Sequence, residues 1–111
     1  MTVLGISADI ATSIAAAQGQ EMGRAILALY RSAQQPAMAQ AGRALENARA
    51  RPGLSLLATD DPYIGSDDIR RRAAERAGAR TEVLNGLGHW RMVQDPARAA
   101  AALTRFWETL D

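Results

Sequence analysis

The sequence predicts an α/β chain in which a helical first half precedes a strand–helix–strand–helix unit with two parallel strands. Three observations predict it. Residues 1–50 place apolar side chains at helical spacing and show no alternating strand pattern after the opening Thr2-Val3-Leu4. Two short runs, Leu54 to Ala58 and Arg80 to Leu84, are bounded by turn residues, as strands are. A capped amphipathic stretch lies between them and another follows, so the strands are joined by a crossover long enough for parallel, right-handed pairing.

In chain order, Asp9 is expected to cap a short helix through Ile10, Ile14 and Ala17. Gly19 separates it from a second helix whose stripe is Met22, Ile26, Leu29 and Tyr30. Pro36 suits the first turn of a third, with Met38, Ala41 and Leu45 on one face and an end near Ala50, where Arg51-Pro52-Gly53 stops it. Leu54-Ser55-Leu56-Leu57-Ala58 then reads as a buried parallel strand closed by Thr59-Asp60-Asp61-Pro62. Ser66 is a helix cap, and Asp67 and Asp68 favour the positive end of the helix dipole. That helix runs to about Ala77, with Gly78 as a left-handed exit. After the second strand, the loop Asn85-Gly86-Leu87-Gly88-His89 leads to Asp95 and Pro96, which cap and open a last helix expected to bury Ala99, Leu103, Phe106 and Leu110. The chain thus divides into a helical segment, 1–50, and a strand–helix–strand–helix segment, 51–111.

Composition narrows the function classes. A chain of 111 residues, 48% hydrophobic and 23% charged, makes one small domain and excludes a two-domain enzyme. With no cysteine there is no disulfide framework, thiolate nucleophile or Cys-ligated zinc, and a single His argues against a His-rich metal site, so neither metal nor cofactor is expected. The thirteen basic residues are all Arg, alanine is abundant and bulky aliphatic side chains are few, so an isolated core is lean and only marginal stability is expected. The longest apolar runs, Ala25 to Tyr30 and Ala97 to Leu103 with Arg98 inside, fall far short of the ~20 residues of a membrane span, and no signal pattern opens the chain. A soluble, cytoplasmic protein without a membrane partner is expected. The run Arg70-Arg71-Arg72 spreads round a helix at ~100° per residue and reads as a solvated face, and the net charge of +1 argues against a nucleic-acid partner.

Reactive groups in an open parallel sheet collect in the loops beyond the carboxyl ends of its strands. The first strand delivers Asp60-Asp61 to that edge, and the second is followed by the only His in the chain. Adjacent parallel strands bring those loops together, so a carboxylate beside an imidazole is a geometric expectation. Gly86 and Gly88 let the loop turn sharply and leave the ring accessible. Taken alone, each feature also has a plainer reading: acids before a proline favour a turn, and a loop His packs beside a neighbour such as Trp90.

The order of a strand ending in an acid and Pro62, a helix, a strand, the Gly88-His89 loop, and the Asp95-Pro96 start of a helix with Phe106-Trp107 resembles the C-terminal part of an α/β-hydrolase. The resemblance covers about 60 residues. It implies a partial α/β-hydrolase fold in which residues 1–50, including Ile26 to Ala33, are similar to the family's helical cap. It further implies that His89 is the catalytic base and Asp61 the acid orienting it, with Asp60 the competing acid, and that Trp90 and Tyr63 line a pocket for a small ester or similar carbonyl substrate. One part is missing: a nucleophile on a Gly-x-Ser-x-Gly turn between strand and helix. Gly5-Ile6-Ser7-Ala8-Asp9 begins like one but lacks the second glycine and the strand before it, so Ser7 is not read as the nucleophile. The chain is therefore expected to supply lid, acid and base but to be inactive alone, and to self-associate through the free edge of its first strand. The alternative reading is a noncatalytic helical interaction module that docks through Met22, Ile26, Leu29 and Tyr30.

Overall fold

A computed structural model describes residues 5–110; the opening Thr2-Val3-Leu4 run lies outside them. The first helix, α1 (Ala8–Ala17), is capped by Ser7 rather than Asp9: the extended Ser7 accepts the Ile10 N–H at 3.4 Å, and Asp9 sits within the first turn. A cap must be non-helical, and the helix has already begun at Ala8. Gly19 is the extended cap of α2 (Gln20–Ser32), as the spacing predicts. Pro36 occupies the cap position of α3 (Ala37–Ala44) rather than its first turn. Beyond Ala44 the chain tightens into a 3₁₀ helix, Leu45–Ala50, instead of continuing as α-helix to Ala50; such tightening is common at helix ends. None of these four helices contributes a buried residue.

The second half follows the predicted order and bounds. β1 (Leu54–Ala58) and β2 (Arg80–Leu84) form a two-stranded parallel sheet, with Leu54 opposite Arg80 and Ala58 opposite Leu84. The crossover is α4 (Asp67–Arg76), capped by Ser66, whose hydroxyl oxygen accepts the Ile69 N–H. It exits through Gly78 at φ +65°, where a Cβ would come within 2.8 Å of the Arg49 side chain. A one-turn helix, α5 (Arg91–Gln94), precedes α6 (Pro96–Glu108), whose cap Asp95 accepts the Arg98 N–H at 3.0 Å.

The two-residue period of the strands sorts their side chains between two covering helices. Leu56, Ala58 and Leu84 pack with Leu87 and with Ala102 of α6, and on the same face Glu82 pairs with Arg105 while Arg80 lies 5.5 Å from the Phe106 ring centre. Leu57 points the other way, toward α4, where Ala74 is buried. The buried face of α6 is Ala99 and Ala102, flanked by half-buried Leu103 and Phe106. Leu110, expected inside, is 48% exposed because α6 ends at Glu108 and releases it. The halves are tied by Arg49, whose guanidinium donates to the Glu75 and Arg76 carbonyls at 2.8 and 3.0 Å, satisfying acceptors at the end of α4. Among the described residues both outer edges of the sheet are unpaired, and no helix is long and apolar enough to cross a membrane.

Candidate functional site

The parallel register sets Ala58 opposite Leu84, so the two following loops start level with each other. Backbone and hydroxyl groups then zip them together. Thr59 N–H donates to Leu84 O at 3.3 Å, Asp60 N–H to Leu87 O at 2.9 Å, and Gly86 N–H to Thr59 Oγ1 at 2.9 Å. Gly88 N–H donates to Gln94 Oε1 at 2.8 Å, which anchors the Gly-His loop to α5. His89 is thereby delivered to the end of β1, where its Nδ1 lies 3.0 Å from Asp61 Oδ2.

Of the two candidate acids, Asp61 meets the imidazole. The exposed Asp60 turns its Oδ1 to the Thr59 hydroxyl, which donates to it at 3.0 Å. Asp61 is held by more than the ring: its Oδ1 accepts the Tyr63 N–H at 2.9 Å. Its side chain is sealed, 0% exposed, whereas that of His89 is 42% exposed. Burial pushes the Asp61 pKa up, but the Tyr63 N–H bond, the hydrogen bond and charge of His89, and the Arg70 guanidinium outweigh it, leaving the carboxyl below its ordinary value. An ionised carboxylate only accepts, so the hydrogen in the 3.0 Å contact belongs to His89 Nδ1, and in the neutral ring that leaves the lone pair on Nε2. That is the arrangement of a general base oriented by an acid.

The ring stands between two aromatics at edge-on angles, Tyr63 at 5.3 Å and Trp90 at 5.7 Å between ring centres. A cavity of about 240 Å³ adjoins it, lined by Gly5, Asp60, Pro62, Tyr63, Gly86, Gly88, His89 and Gln94. Tyr63 lines this space, while Trp90 abuts the ring from outside the lining. Gly5, at φ +71°, lies so close to the Gln94 amide that a Cβ there would meet Nε2 at 2.1 Å. Ser7 is engaged as the α1 cap.

Three contributors escaped sequence reading. Thr59 and Gln94 act through single hydrogen bonds across the loops, for which the sequence holds no spacing signal. Arg70 corrects an expectation: it belongs to the run read as a solvated face, yet its side chain is only 10% exposed, whereas that of Arg72 is 69% exposed and pairs with Asp68 at 2.9 Å. Arg70 is one helical turn before buried Ala74 and shares its inward face, a signal the i, i+4 spacing does carry. Among the described residues no cluster of His, Asp and Glu could hold a metal ion. No family model, curated protein or solved structure matches this chain.

Proposed function

We propose that the chain is the acid–base part of a hydrolase of the α/β type acting on an ester or similar small carbonyl substrate. The observation that carries the reading is the 3.0 Å contact between His89 Nδ1 and the sealed Asp61 carboxylate, made by loops from adjacent parallel strands. In the working enzyme, Nε2 of His89 takes the proton of an attacking hydroxyl and returns it to the leaving group, while Asp61 holds the ring and stabilises the imidazolium. The nucleophile and the oxyanion donors come from polypeptide outside these residues, since no serine here sits on a suitable turn. Two features support an incomplete site. The cavity is smaller than the roughly 300–1,000 Å³ of finished ligand pockets. The helices before β1 also contribute no buried residue.

Although the chain alone lacks the enzyme's nucleophile and is expected to be inactive on the enzyme's own substrate, it offers a direct test with an activated ester, because an oriented imidazole accepts acyl groups. Nε2 attacks the carbonyl of p-nitrophenyl acetate, p-nitrophenolate leaves, and water hydrolyses the acetylimidazole. We expect p-nitrophenolate release above the buffer rate, transient acetylation at His89 by mass spectrometry, and the buffer rate for His89→Ala with unchanged circular dichroism. Equal release by the chain and by that variant would remove the base assignment.

The exposure of Met22, Ile26, Leu29 and Tyr30 on α2 favours a second reading, a noncatalytic docking module. Sedimentation velocity over a concentration series separates the two. An unfinished sheet, with β1 mostly apolar and its outer edge unpaired among the described residues, is expected to self-associate as concentration rises. A mass fixed at the monomer value favours the module.

A further inference from the structure

We propose that Arg70 is a positioning residue for Asp61: its guanidinium grips the carbonyl around which the acid-bearing turn is wound and sets a nearly buried positive charge beside it. The geometry is specific. Ala58 O, at the end of β1, accepts the Asp61 N–H at 3.4 Å, closing the turn, and it also accepts Arg70 Nη1 at 2.7 Å. The other guanidinium nitrogen, Nη2, is ion-paired with Asp67, in the first turn of the same helix, which fixes the orientation of the fork. A polar chain therefore runs from the start of α4 through Arg70 and the Ala58 carbonyl to Asp61, and from Asp61 to the imidazole.

A merely structural tie between α4 and β1 explains this arrangement poorly. Arg70 Nε is buried without a hydrogen-bond partner among the described residues, and an unsatisfied buried donor on a desolvated cation costs stability that an aliphatic residue would not. What the guanidinium supplies and an aliphatic residue cannot is a donor to the turn and a charge opposing the desolvation of the Asp61 carboxylate. The charged and titratable groups around that carboxylate are His89 from the β2 loop, Arg70 from α4 with its partner Asp67, and the adjacent Asp60, whose carboxylate turns to Thr59.

This inference rests on the acid role proposed for Asp61, but its test reads the carboxyl rather than hydrolysis, so either can fail without the other. The Asp61 side-chain carboxyl is titrated by carbon-13 NMR in the intact chain, with Arg70→Met, Arg70→Lys and, as a structural control, Ala74→Gly on the same face of α4. Arg70→Met is expected to raise the Asp61 midpoint by at least ~0.5 pH unit and Arg70→Lys to keep it near the original value, because a neighbouring cation favours the ionised form. Ala74→Gly, which loosens α4 without touching the charge, is expected to leave the midpoint in place. If Arg70→Met does not fold, Arg70→Gln, which retains an N–H for the Ala58 carbonyl, is read instead by the same criterion. An unchanged midpoint in the neutral variant, or an equal rise in Ala74→Gly, would overturn the proposal.

Discussion

Asp61→Asn is expected to reverse the hydrogen on His89 while leaving the backbone in place. Asparagine fits the same space, and its oxygen can keep the Tyr63 N–H bond that Asp61 Oδ1 makes now. Its amide nitrogen then faces Nδ1, and because an NH₂ group donates, Nδ1 must present its lone pair and the ring hydrogen must move to Nε2. Nε2 then changes from acceptor to donor and can no longer take a proton in the role proposed for it. The nitrogen-15 shifts of the single imidazole read this directly, with no other histidine to overlap. In the enzyme proposed above, the corresponding loss of turnover is expected to be about 10⁴-fold, the scale seen when a catalytic imidazole is locked in the wrong tautomer. An Asp61→Asn variant whose His89 tautomer matches the parent chain would mean that the carboxylate does not orient the ring.

The same carboxyl makes stability depend on pH. Its folded pKa lies below the ordinary, unfolded value near 4, so its contribution is present in full above that value and is lost as pH falls through the lowered folded value. The parent chain should therefore lose stability on the acid side of about pH 4, and the Asn variant, with no proton to gain at this position, should lose less over that interval.

How much of this was legible in the sequence follows from the range of the interactions involved. Strand bounds, the Ser66 and Asp95 caps and the Gly78 exit depend on neighbours within a turn, and composition reveals them. The pairing of the Asp61 and His89 loops spans 28 residues, but it follows from one inference, that two strands joined by a crossover helix lie side by side in parallel. What the residues by themselves left open, and the resemblance alone favoured for Asp61, was which of two consecutive acids faces the ring. That choice depends on the turn closed by the Asp61 N–H on the Ala58 carbonyl, reinforced by Arg70. Helix ends were misjudged where sequence offers several near-equivalent stops, as at Ser7 against Asp9 and at Ala44 against Ala50. The last helix shows the cost of reading periodicity past its end. Leu110 fits the stripe but lies beyond Glu108, while Ala102, too small to attract notice, is completely buried.

That last contrast matters for stability, because among the described residues half of the eight buried apolar ones are alanines. Leu57 and Leu84 are the largest side chains sealed from solvent, one on each face of the sheet. Leu57→Ala removes most of the apolar volume that β1 offers α4 and leaves a cavity, a change that costs about 2–5 kcal/mol in buried leucines. Whole domains are stabilised by only about 5–15 kcal/mol, and one with so few bulky residues lies toward the low end. The variant is therefore expected to lose its cooperative thermal transition or to unfold at a much lower denaturant midpoint. Leu110→Ala removes the same atoms from a side chain half in water beyond α6 and is expected to change stability by less than about 0.5 kcal/mol. Denaturant titrations followed by far-ultraviolet circular dichroism compare the two. Equal midpoints would mean that the β1–α4 contact does not hold the strand–helix–strand unit together, and with it the level start of the loops that bring Asp61 to His89.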